Sequence, residues 1–383
     1  MTSQKRWIRL FSFLAACLIP FGGMAEPTLT EKSLSLGGSR ITYPAVTGME
    51  DAEAEKAVND AIVSGGHIAD YLTRMSELIS SGKITTEWFG GLYGDYLSIA
   101  FLAEGDVEDS RNTSVWTAVN LNLTTGQPFT WEELFAESEN AEEELIAYLE
   151  ESAAPDLSPM LLNSRVTPVP ETFRIDETGL IFLYPADQLC TLHDRAGDIH
   201  LAWCELQPLL NLDQGSPADR IGIPEALTLT AESVERIRTI AGSGCVPGIP
   251  VTIGESLQAL TDRYHLVTDP DVYEGGRMFS LEGGCFRRVY LLTDFLSEDW
   301  ENSVVQGIRM DRGNLSGLCI GSTSCEEWRM LLGEPDYTVV FDEQKAEINR
   351  TVPGECDYYA CGAYQLRLQC SQDGVLYSII LTE

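Results

Sequence analysis

Two cysteines and two histidines stand close together near the middle of the chain, and all four are side chains that can bind zinc. Two thiolates and two imidazoles can fill a tetrahedral zinc site. In an oxidising compartment, however, cysteines on either side of a predicted hairpin favour a disulfide. The spacing therefore predicts a Cys190–Cys204 disulfide, with a zinc site and free thiols as the alternatives. The four residues are Cys190, His193, His200 and Cys204.

The other cysteines extend this prediction towards the C-terminus. The chain has 10 cysteines, a usage that favours disulfides outside the cytoplasm. Close spacing makes Cys319–Cys325 and Cys356–Cys361 the preferred pairs. Connectivity itself cannot be deduced from a sequence.

Known catalytic signatures are missing from the sequence. It has four histidines, and it contains no Gly-x-Ser-x-Gly elbow, no His-Glu-x-x-His pair and no P-loop. Two of its many carboxylates could still hydrolyse a glycosidic bond if they faced each other across a cleft. The loop from Glu104 to Ser114 could hold Ca²⁺, with a mobile acidic loop as the simpler interpretation. We therefore expect no cofactor and favour a non-enzymatic role, and we keep a cell-envelope hydrolase that uses carboxylates as an alternative.

Three aromatic residues near the C-terminus are candidates for ligand binding. Trp328 lies in a predicted helix, and Tyr358 and Tyr359 lie between Cys356 and Cys361. A double tyrosine on a loop closed by a disulfide would offer rigid contact area to a partner. Packing in the core is the alternative for all three side chains.

The charge of the chain restricts its partners. The formal net charge is −34 at pH 7, and such a surface repels nucleic acid and anionic lipid. It would attract a basic protein. The alternative is that the acidity only keeps the protein soluble.

The N-terminus reads as a secretory signal. Lys5, Arg6 and Arg9 precede a short apolar stretch, and the small residues Gly23 and Ala25 then offer a cleavage site. We therefore expect residues 1–25 to be removed and the protein to be secreted or extracytoplasmic. The segment that ends at Cys17 also fits a lipobox, so a lipoprotein tethered through Cys17 is the alternative. No later apolar run has the ~20 residues that a membrane-spanning helix needs.

Hydrophobic periodicity behind the signal predicts an α+β protein of two domains, with helices packed on antiparallel sheets. Apolar residues at helical spacing in residues 54–62 and 68–79 predict two amphipathic helices. Thr130 and Glu133 have the spacing of a capping box. The predicted boundaries are a flexible N-terminal segment at 26–40, a first domain at 41–212, a linker and helix at 213–245, and a second domain at 246–383.

The second domain contains an internal repeat. Ile253-Gly254 opens one unit and Ile320-Gly321 opens the next, and each opening is followed by a helical stretch and then by strands. Two such units can bury a shared face. The sequence therefore predicts a tandem repeat of a helix-plus-sheet unit.

Residues ~35–212 resemble the extracytoplasmic domains of the RsiV-like, DUF3298-type family. The resemblance rests on the run from Trp116 to Phe135, which includes Asn120-Leu121, Thr125-Gly126 and Leu134-Phe135, and on the strand pair from Phe173 to Pro185. The family has a Gly-Gly-Ala-His segment where this chain reads Gly105-Asp-Val-Glu. The resemblance implies an α+β domain and, by analogy with lysozyme binding by RsiV, a lysozyme-like ligand.

Residues ~246–383 resemble the tandem repeats of β-lactamase inhibitor proteins. The shared features are the Ile-Gly openings, the Leu332-Gly333-Glu334-Pro335 helix exit and the terminal strand after Gly374. This resemblance implies a concave sheet that grips a partner, and it does not name the partner. We therefore expect an exported, non-enzymatic binding protein of the bacterial cell surface, with a basic protein or a cell-wall component as its partner. A structural envelope module is the remaining alternative.

Overall fold

The computed structural model describes residues 27–79, 82–107, 114–148, 169–186, 188, 196–261, 265–266, 270–282, 288–295 and 300–383. The predicted signal peptide, Cys17, Cys190, His193 and residues 108–113 of the acidic loop lie outside these residues. None of the helices in the described ranges is both long and apolar enough to span a bilayer. The chain mixes helices with several antiparallel sheets, which confirms the predicted α+β class.

The first sheet has six strands in sequence order. Its neighbouring strands pair antiparallel except β2 and β3, which are parallel. The strands are β1 (Thr28–Leu36), β2 (Ser39–Thr47), β3 (Ile84–Tyr93), β4 (Tyr96–Gly105), β5 (Ser114–Asn122) and β6 (Gln127–Pro128).

Strand β1 corrects the prediction of a flexible segment at residues 26–40. It pairs with β2 along its whole length. Eight of its nine side chains are exposed, so β1 has no alternation of apolar and polar residues. That alternation is the signal by which a half-buried strand is recognised.

Two helices cover the first sheet, as the periodicity predicts. Helix α1 (Ala52–Gly65) begins at Asp51, whose carboxylate accepts the amides of Glu53 and Ala54. Helix α2 (Ile68–Glu77) follows and buries Ile68, Tyr71 and Met75 against the sheet.

The second sheet is small and packs on the first. Its strands β7 (Phe173–Ile175), β8 (Gly179–Tyr184) and β9 (Gly197–Ala202) are antiparallel. Ser98 joins the two sheets: its hydroxyl accepts the amide of Ile175 at 2.8 Å and donates to Asn120 at 2.6 Å.

Short helices surround this second sheet. The predicted capping box of Thr130 and Glu133 is present at a 3₁₀ turn, Trp131–Leu134. The helices are α3 (Ala141–Tyr148), α4 (Trp203–Leu206), α5 (Pro217–Ile221) and α6 (Ile223–Leu227).

The largest sheet lies in the C-terminal part and has nine strands. Its strands are β12 (His265–Leu266), β13 (Asp271–Tyr273), β14 (Gly276–Glu282), β15 (Val289–Thr293), β16 (Gly307–Met310), β19 (Tyr337–Phe341), β20 (Gly354–Cys361), β21 (Tyr364–Cys370) and β22 (Leu376–Thr382). Their order in the sheet is β12-β14-β15-β16-β22-β21-β20-β19, with β13 beside β14.

Smaller elements accompany this sheet. Two two-stranded ribbons pair β10 (Cys245–Val246) with β11 (Ile249–Thr252) and β17 (Asn314–Leu315) with β18 (Leu318–Cys319). The helices are α7 (Ala231–Ser243), α8 (Leu257–Thr261), α9 (Cys325–Leu332) and α10 (Glu343–Ile348).

One face of the nine-stranded sheet holds the main core. Trp328 of α9 and Ile237 of α7 pack there with Tyr359, Leu366 and other apolar side chains of the central strands. Residues next to each other along a strand point to opposite faces. The neighbours of these core residues, such as Tyr358 and Arg367, therefore point to the other face, on which the candidate site lies.

Candidate binding surface on the nine-stranded sheet

A row of aromatic and arginine side chains crosses the sheet on the face away from α7 and α9. Residues in register on neighbouring strands share a face. Across strands β19, β20, β21, β22, β16 and β15 the row runs Tyr337, Tyr358, Arg367, Ile380, Arg309 and Tyr290.

Four residues at the β19 end of this row form one connected group, which we call the tyrosine–arginine surface: Tyr337, Tyr358, Gln365 and Arg367. The rings of Tyr337 and Tyr358 stack with centroids 4.3 Å apart. The Arg367 guanidinium lies 5.1 Å from the centre of the Tyr358 ring. Gln365 links the group by donating to the Tyr337 hydroxyl at 3.2 Å and accepting from Arg367 at 3.1 Å. The four side chains therefore hold one another in place.

The two tyrosines of this surface differ in exposure. Tyr358 is covered by its neighbours and is 9% exposed, and burial raises the pKa of its hydroxyl to about 12. Tyr337 is 48% exposed. Since one side of the Tyr337 ring stacks on Tyr358, its free contact area faces solvent, and Tyr337 is the side chain that a partner can reach.

Strand β19 also presents an edge. It ends the strand order of the nine-stranded sheet within the described residues, and Val340 is 66% exposed on it. An edge strand of this kind offers unpaired backbone groups to an added strand. Exposed carboxylates lie before, beside and after it, at Glu334, Asp336, Asp342, Glu343 and Glu347. The edge therefore combines an exposed aromatic ring with negative charge.

The other end of the row is closed by the chain itself. Arg309 is 4% exposed and binds Asp311 through two hydrogen bonds of 2.6 and 2.7 Å. It also donates to the carbonyls of Asn349 and Arg350 at 3.2 and 2.8 Å. These contacts place the segment after α10 over the sheet, so the accessible part of the row is the tyrosine–arginine surface.

Two of the three aromatic residues predicted to bind a ligand lie in the core, which corrects that prediction. Trp328 is 0% exposed, and its indole donates to Asp357 at 2.9 Å. Tyr359 points to the helical face and donates to the Gly333 carbonyl at 3.2 Å. Burial leaves neither ring free to contact a partner. Of the three, Tyr358 alone lies on the candidate surface. The predicted Cys356–Cys361 disulfide on either side of it is not formed.

Asp357 explains why this core accepts polar groups. Its carboxylate is fully buried and accepts from Trp328, from Arg329 at 2.6 and 2.8 Å, and from Thr338 at 2.7 Å. Burial raises the pKa of the carboxyl group, but these hydrogen bonds outweigh burial and hold the pKa below its usual range. Asp357 therefore stays charged and fastens α9 to β19 and β20.

A second polar cluster is buried beside the small sheet and includes His200. Asp176 accepts the Thr178 hydroxyl at 2.6 Å and the Thr178 amide at 2.8 Å. The His200 Nε2 lies 3.0 Å from the same hydroxyl. Because the threonine proton points to Asp176, the histidine must donate to the hydroxyl oxygen. Burial lowers the pKa of His200 to about 4, so the ring is neutral at pH 7.

This order of groups differs from that of a hydrolytic triad. In a triad the histidine lies between the carboxylate and the hydroxyl and takes the hydroxyl proton. Here Thr178 lies between Asp176 and His200, and its proton is already held by the carboxylate. The cluster therefore does not activate Thr178 as a nucleophile.

The same cluster joins the small sheet to the C-terminal part. Arg312 pairs with Glu205 and donates to the His200 carbonyl at 3.0 Å. A small cavity beside it is lined by Thr178, His200 and Asn314. The Asn314 side chain is 1% exposed and has no hydrogen-bond partner among the described residues.

The zinc alternative receives no support from the residues that the structure describes. His200 Nε2 contacts Thr178, and the Cys204 thiol contacts Cys319. Within the described ranges no group of three or more His, Cys, Asp or Glu is placed to hold a metal ion. Cys190 and His193, the other two members of the predicted set, fall outside those ranges.

The described cysteines are free thiols: Cys204, Cys245, Cys319, Cys325, Cys356, Cys361 and Cys370. The predicted Cys356–Cys361 bridge cannot form in this fold, because both residues lie in β20. Five residues of strand span about 16 Å at ~3.3 Å per residue, whereas a disulfide joins Cα atoms at most ~7 Å apart. Cys319 lies in β18 and Cys325 opens α9; the Cys319 thiol contacts Cys204.

Arg367 and Tyr337 were missing from the predicted site. The alternation in residues 364–370 does place Gln365 and Arg367 on the face opposite Leu366 and Leu368, so a signal for Arg367 existed. Tyr337 carries no comparable signal, since only the pairing of β19 with β20 brings it onto Tyr358.

Comparison with known proteins finds solved structures at low identity. No protein-family model matches the sequence, and no curated protein matches it. A DUF3298 family protein of Bacteroides fragilis has a TM-score of 0.35 at 15% identity, covering 51% of this chain and 95% of that protein. A DUF3298 family protein of Pseudomonas aeruginosa has a TM-score of 0.31 at 6% identity, and the match covers 50% of this chain and 95% of that protein. A DUF4309 family protein of Bacillus subtilis has a TM-score of 0.26 at 13% identity, and the match covers 40% of this chain and 97% of that protein.

Proposed function

We propose that the protein is an extracytoplasmic, non-enzymatic binding protein that takes a basic protein, of lysozyme-like chemistry, on its tyrosine–arginine surface. The observation that carries the proposal is Tyr337, a half-exposed ring on the edge strand β19. The exposed side chains around it include several carboxylates, and the formal net charge of the whole chain is −34 at pH 7.

The aromatic pair is suited to a cationic partner. A lysine or arginine over a tyrosine ring contributes about 0.5–1 kcal/mol at an exposed site. Arg367 already occupies one side of Tyr358 in this way, and Tyr337 offers a further ring to the partner. The stack and the hydrogen bond from Gln365 fix the Tyr337 ring before binding, which lowers the entropy lost when a partner docks.

The acidic side chains around β19 add long-range attraction. Asp336, Asp342 and Glu343 are exposed close to Tyr337 in sequence. Opposite charges on two proteins speed their encounter and favour the correct partner more than they tighten the final complex. The contact should therefore weaken as salt is added, because the screening length shortens from ~30 Å at 0.01 M to ~8 Å at 0.15 M.

The tandem repeat predicted for residues 246–383 belongs to the same proposal. Gly254 and Gly321 both have left-handed φ angles, of 91° and 89°. Their amides donate to Val305 and Leu376 at 2.7 and 2.8 Å. The isolated bridges Ser256–Val304 and Ser324–Val375 follow in equivalent places. These matches support two related units that meet where β16 pairs with β22.

The export and the ligand class come from the sequence. The basic, apolar and small-residue parts of residues 1–25 support secretion, with a lipid tether at Cys17 as the alternative. The RsiV-like features between Trp116 and Pro185 suggest a lysozyme-like ligand by analogy. They lie in the first predicted domain, so placing that ligand at Tyr337 rests on the exposed ring and the acidic surroundings. A resemblance of fold does not by itself carry a function across, so the partner has to be identified by binding.

Substitutions at Tyr337 test the proposal. With the full chain and a lysozyme as the probe, Tyr337→Ala should weaken binding about 5- to 30-fold, which corresponds to ~1–2 kcal/mol. Tyr337→Phe keeps the ring and should bind within about threefold of the unchanged protein. Val272→Ala, which removes an exposed apolar side chain of β13, is the matched control and should have no effect. Equal binding by Tyr337→Ala and the control would rule out this surface as the lysozyme site.

A further inference from the structure

Two cysteines that are far apart in the sequence meet between the small sheet and the C-terminal part. Cys204 lies in α4, directly after β9, and Cys319 ends β18. Their thiols are within hydrogen-bonding reach of each other. Both are reduced in the structure.

The surrounding contacts hold both cysteines in position. On one side, Glu205 accepts the Ala202 amide at 2.9 Å and pairs with Arg312. On the other side, the Cys319 amide donates to Thr323 at 2.8 Å, and its thiol donates to the Leu227 carbonyl at 3.7 Å. A hydrogen bond and an ion pair of Glu205 therefore hold the segment of Cys204, and two hydrogen bonds hold Cys319 itself.

We propose that Cys204 and Cys319 form a disulfide that joins the small sheet to the C-terminal domain. The pair replaces the Cys190–Cys204 and Cys319–Cys325 pairs that sequence spacing favours. Each of those predictions contained one of these two residues, and the fold brings the two together. The inference does not depend on the proposed binding function.

The bond forms by exchange with a small disulfide such as oxidised glutathione. Cys204 is partly exposed whereas Cys319 is 3% exposed, so Cys204 reacts first and forms a mixed disulfide while one glutathione thiol leaves. Cys319 then attacks the Cys204 sulfur and the second glutathione thiol leaves. The two cysteines together lose two electrons and two protons, which reduce one glutathione disulfide to two thiols.

The hydrogen bond between the two thiols shifts their pKa values in opposite directions. The hydrogen bond from Cys204 lowers the pKa of the Cys319 thiol, and the same bond together with burial raises the pKa of the Cys204 thiol. A thiolate is the attacking species in exchange. The pKa of Cys204, the thiol that reacts first, is raised, so the order of the two steps is set by its greater exposure.

Disulfide mapping of the full chain tests the proposal. The purified protein is fully reduced, refolded with oxidised glutathione, alkylated with iodoacetamide in denaturant so that buried thiols react, and digested without reductant for mass spectrometry. We expect one cross-linked peptide that contains Cys204 and Cys319, with a mass about two hydrogens below the sum of its parts. Cys245, another partly buried thiol, serves as the internal control and should be alkylated.

Single substitutions sharpen the test. In Cys204→Ser the Cys319 thiol should become open to alkylation or glutathionylation, and in Cys319→Ser the same should hold for Cys204, whereas Cys245→Ser should leave the cross-link intact. A Cys190–Cys204 peptide would overturn the proposal. So would alkylation or a stable glutathione adduct at both Cys204 and Cys319 in the unsubstituted protein.

Discussion

Replacing Asp357 with alanine should strongly destabilise the C-terminal part of the chain. The carboxylate is 0% exposed and accepts from Trp328, Arg329 and Thr338 at 2.6–2.9 Å. Its removal leaves the buried Trp328 indole N–H without an acceptor, which costs about 1–3 kcal/mol. It also removes the buried carboxylate partner of Arg329 and leaves the exposed Glu355 as its remaining ion-pair partner. Breaking a fully buried ion pair costs roughly 3–5 kcal/mol.

The partial exposure of Arg329 reduces the cost of breaking its ion pair with Asp357. Its side chain is 31% exposed, so water can replace part of the lost interaction. We therefore expect Asp357→Ala to lower the free energy of unfolding by about 3 kcal/mol, measured by urea denaturation at pH 7 with both tryptophan fluorescence and circular dichroism. Trp328→Phe removes one hydrogen bond to the same carboxylate, which costs about 1 kcal/mol, and adds the cost of the core volume that the smaller ring leaves unfilled.

Glu355→Ala is the matched control for this prediction. Glu355 also contacts Arg329, at 2.7 Å, but it is 46% exposed, and exposed ion pairs contribute about 0–1 kcal/mol. If Asp357→Ala loses no more free energy of unfolding than Glu355→Ala, the buried carboxylate is not the source of the stability.

The difference in free energy of unfolding between the unsubstituted protein and Asp357→Ala should also shrink in acid. The folded pKa of Asp357 lies below its usual value of ~3.9, so its stabilisation is present above pH ~4 and is lost as the pH falls through the folded pKa.

Two further predictions concern His200 and the paired glycines. The pKa of His200 is lowered to about 4 by burial, against ~6.5 when unfolded. The unfolded chain therefore takes up the proton first, and stability should fall as the pH drops from ~6.5 towards 4; His200→Gln should flatten this part of a pH series of urea midpoints. Gly254→Ala and Gly321→Ala should each cost about 1–2 kcal/mol in denaturation, because alanine is strained at φ near +90° and no other atom lies close enough to matter. Unequal losses would argue against equivalent repeat openings.

Local patterns in the sequence predict several elements of the fold. Apolar residues at helical spacing identify α1 and α2, and the spacing of Thr130 and Glu133 identifies the capping box. These features depend on residues a few positions apart. Strand β1 carries no such pattern, since its side chains are exposed on both faces and only its pairing with β2 defines it.

The candidate surface was predicted only in part. Tyr358 and Tyr359 are neighbours in β20, and neighbours in a strand point to opposite faces, so at most one of the two rings could lie on a given surface. The sequence did not show which one, because that depends on the side of the sheet that α7 and α9 cover. Tyr337 joins Tyr358 through long-range pairing of β19 and β20, which no local pattern reveals.

The cysteines illustrate the same limit. Spacing in the sequence favours partners that are close along the chain, such as Cys356 and Cys361, but an extended strand keeps those two apart. Cys204 and Cys319 meet instead through the contact between two separate parts of the fold. A pairing that depends on tertiary contact cannot be read from spacing.

The most direct measurement of the central claim is a titration of the unsubstituted full-length protein with a lysozyme by isothermal calorimetry, at about 0.01 M and 0.15 M salt. The proposed binding function predicts saturable binding with a defined stoichiometry at low salt and an affinity that falls as salt is raised. An acidic protein of equal size should not bind. No heat of binding to the lysozyme at low salt, or equal binding of the acidic control, would contradict it.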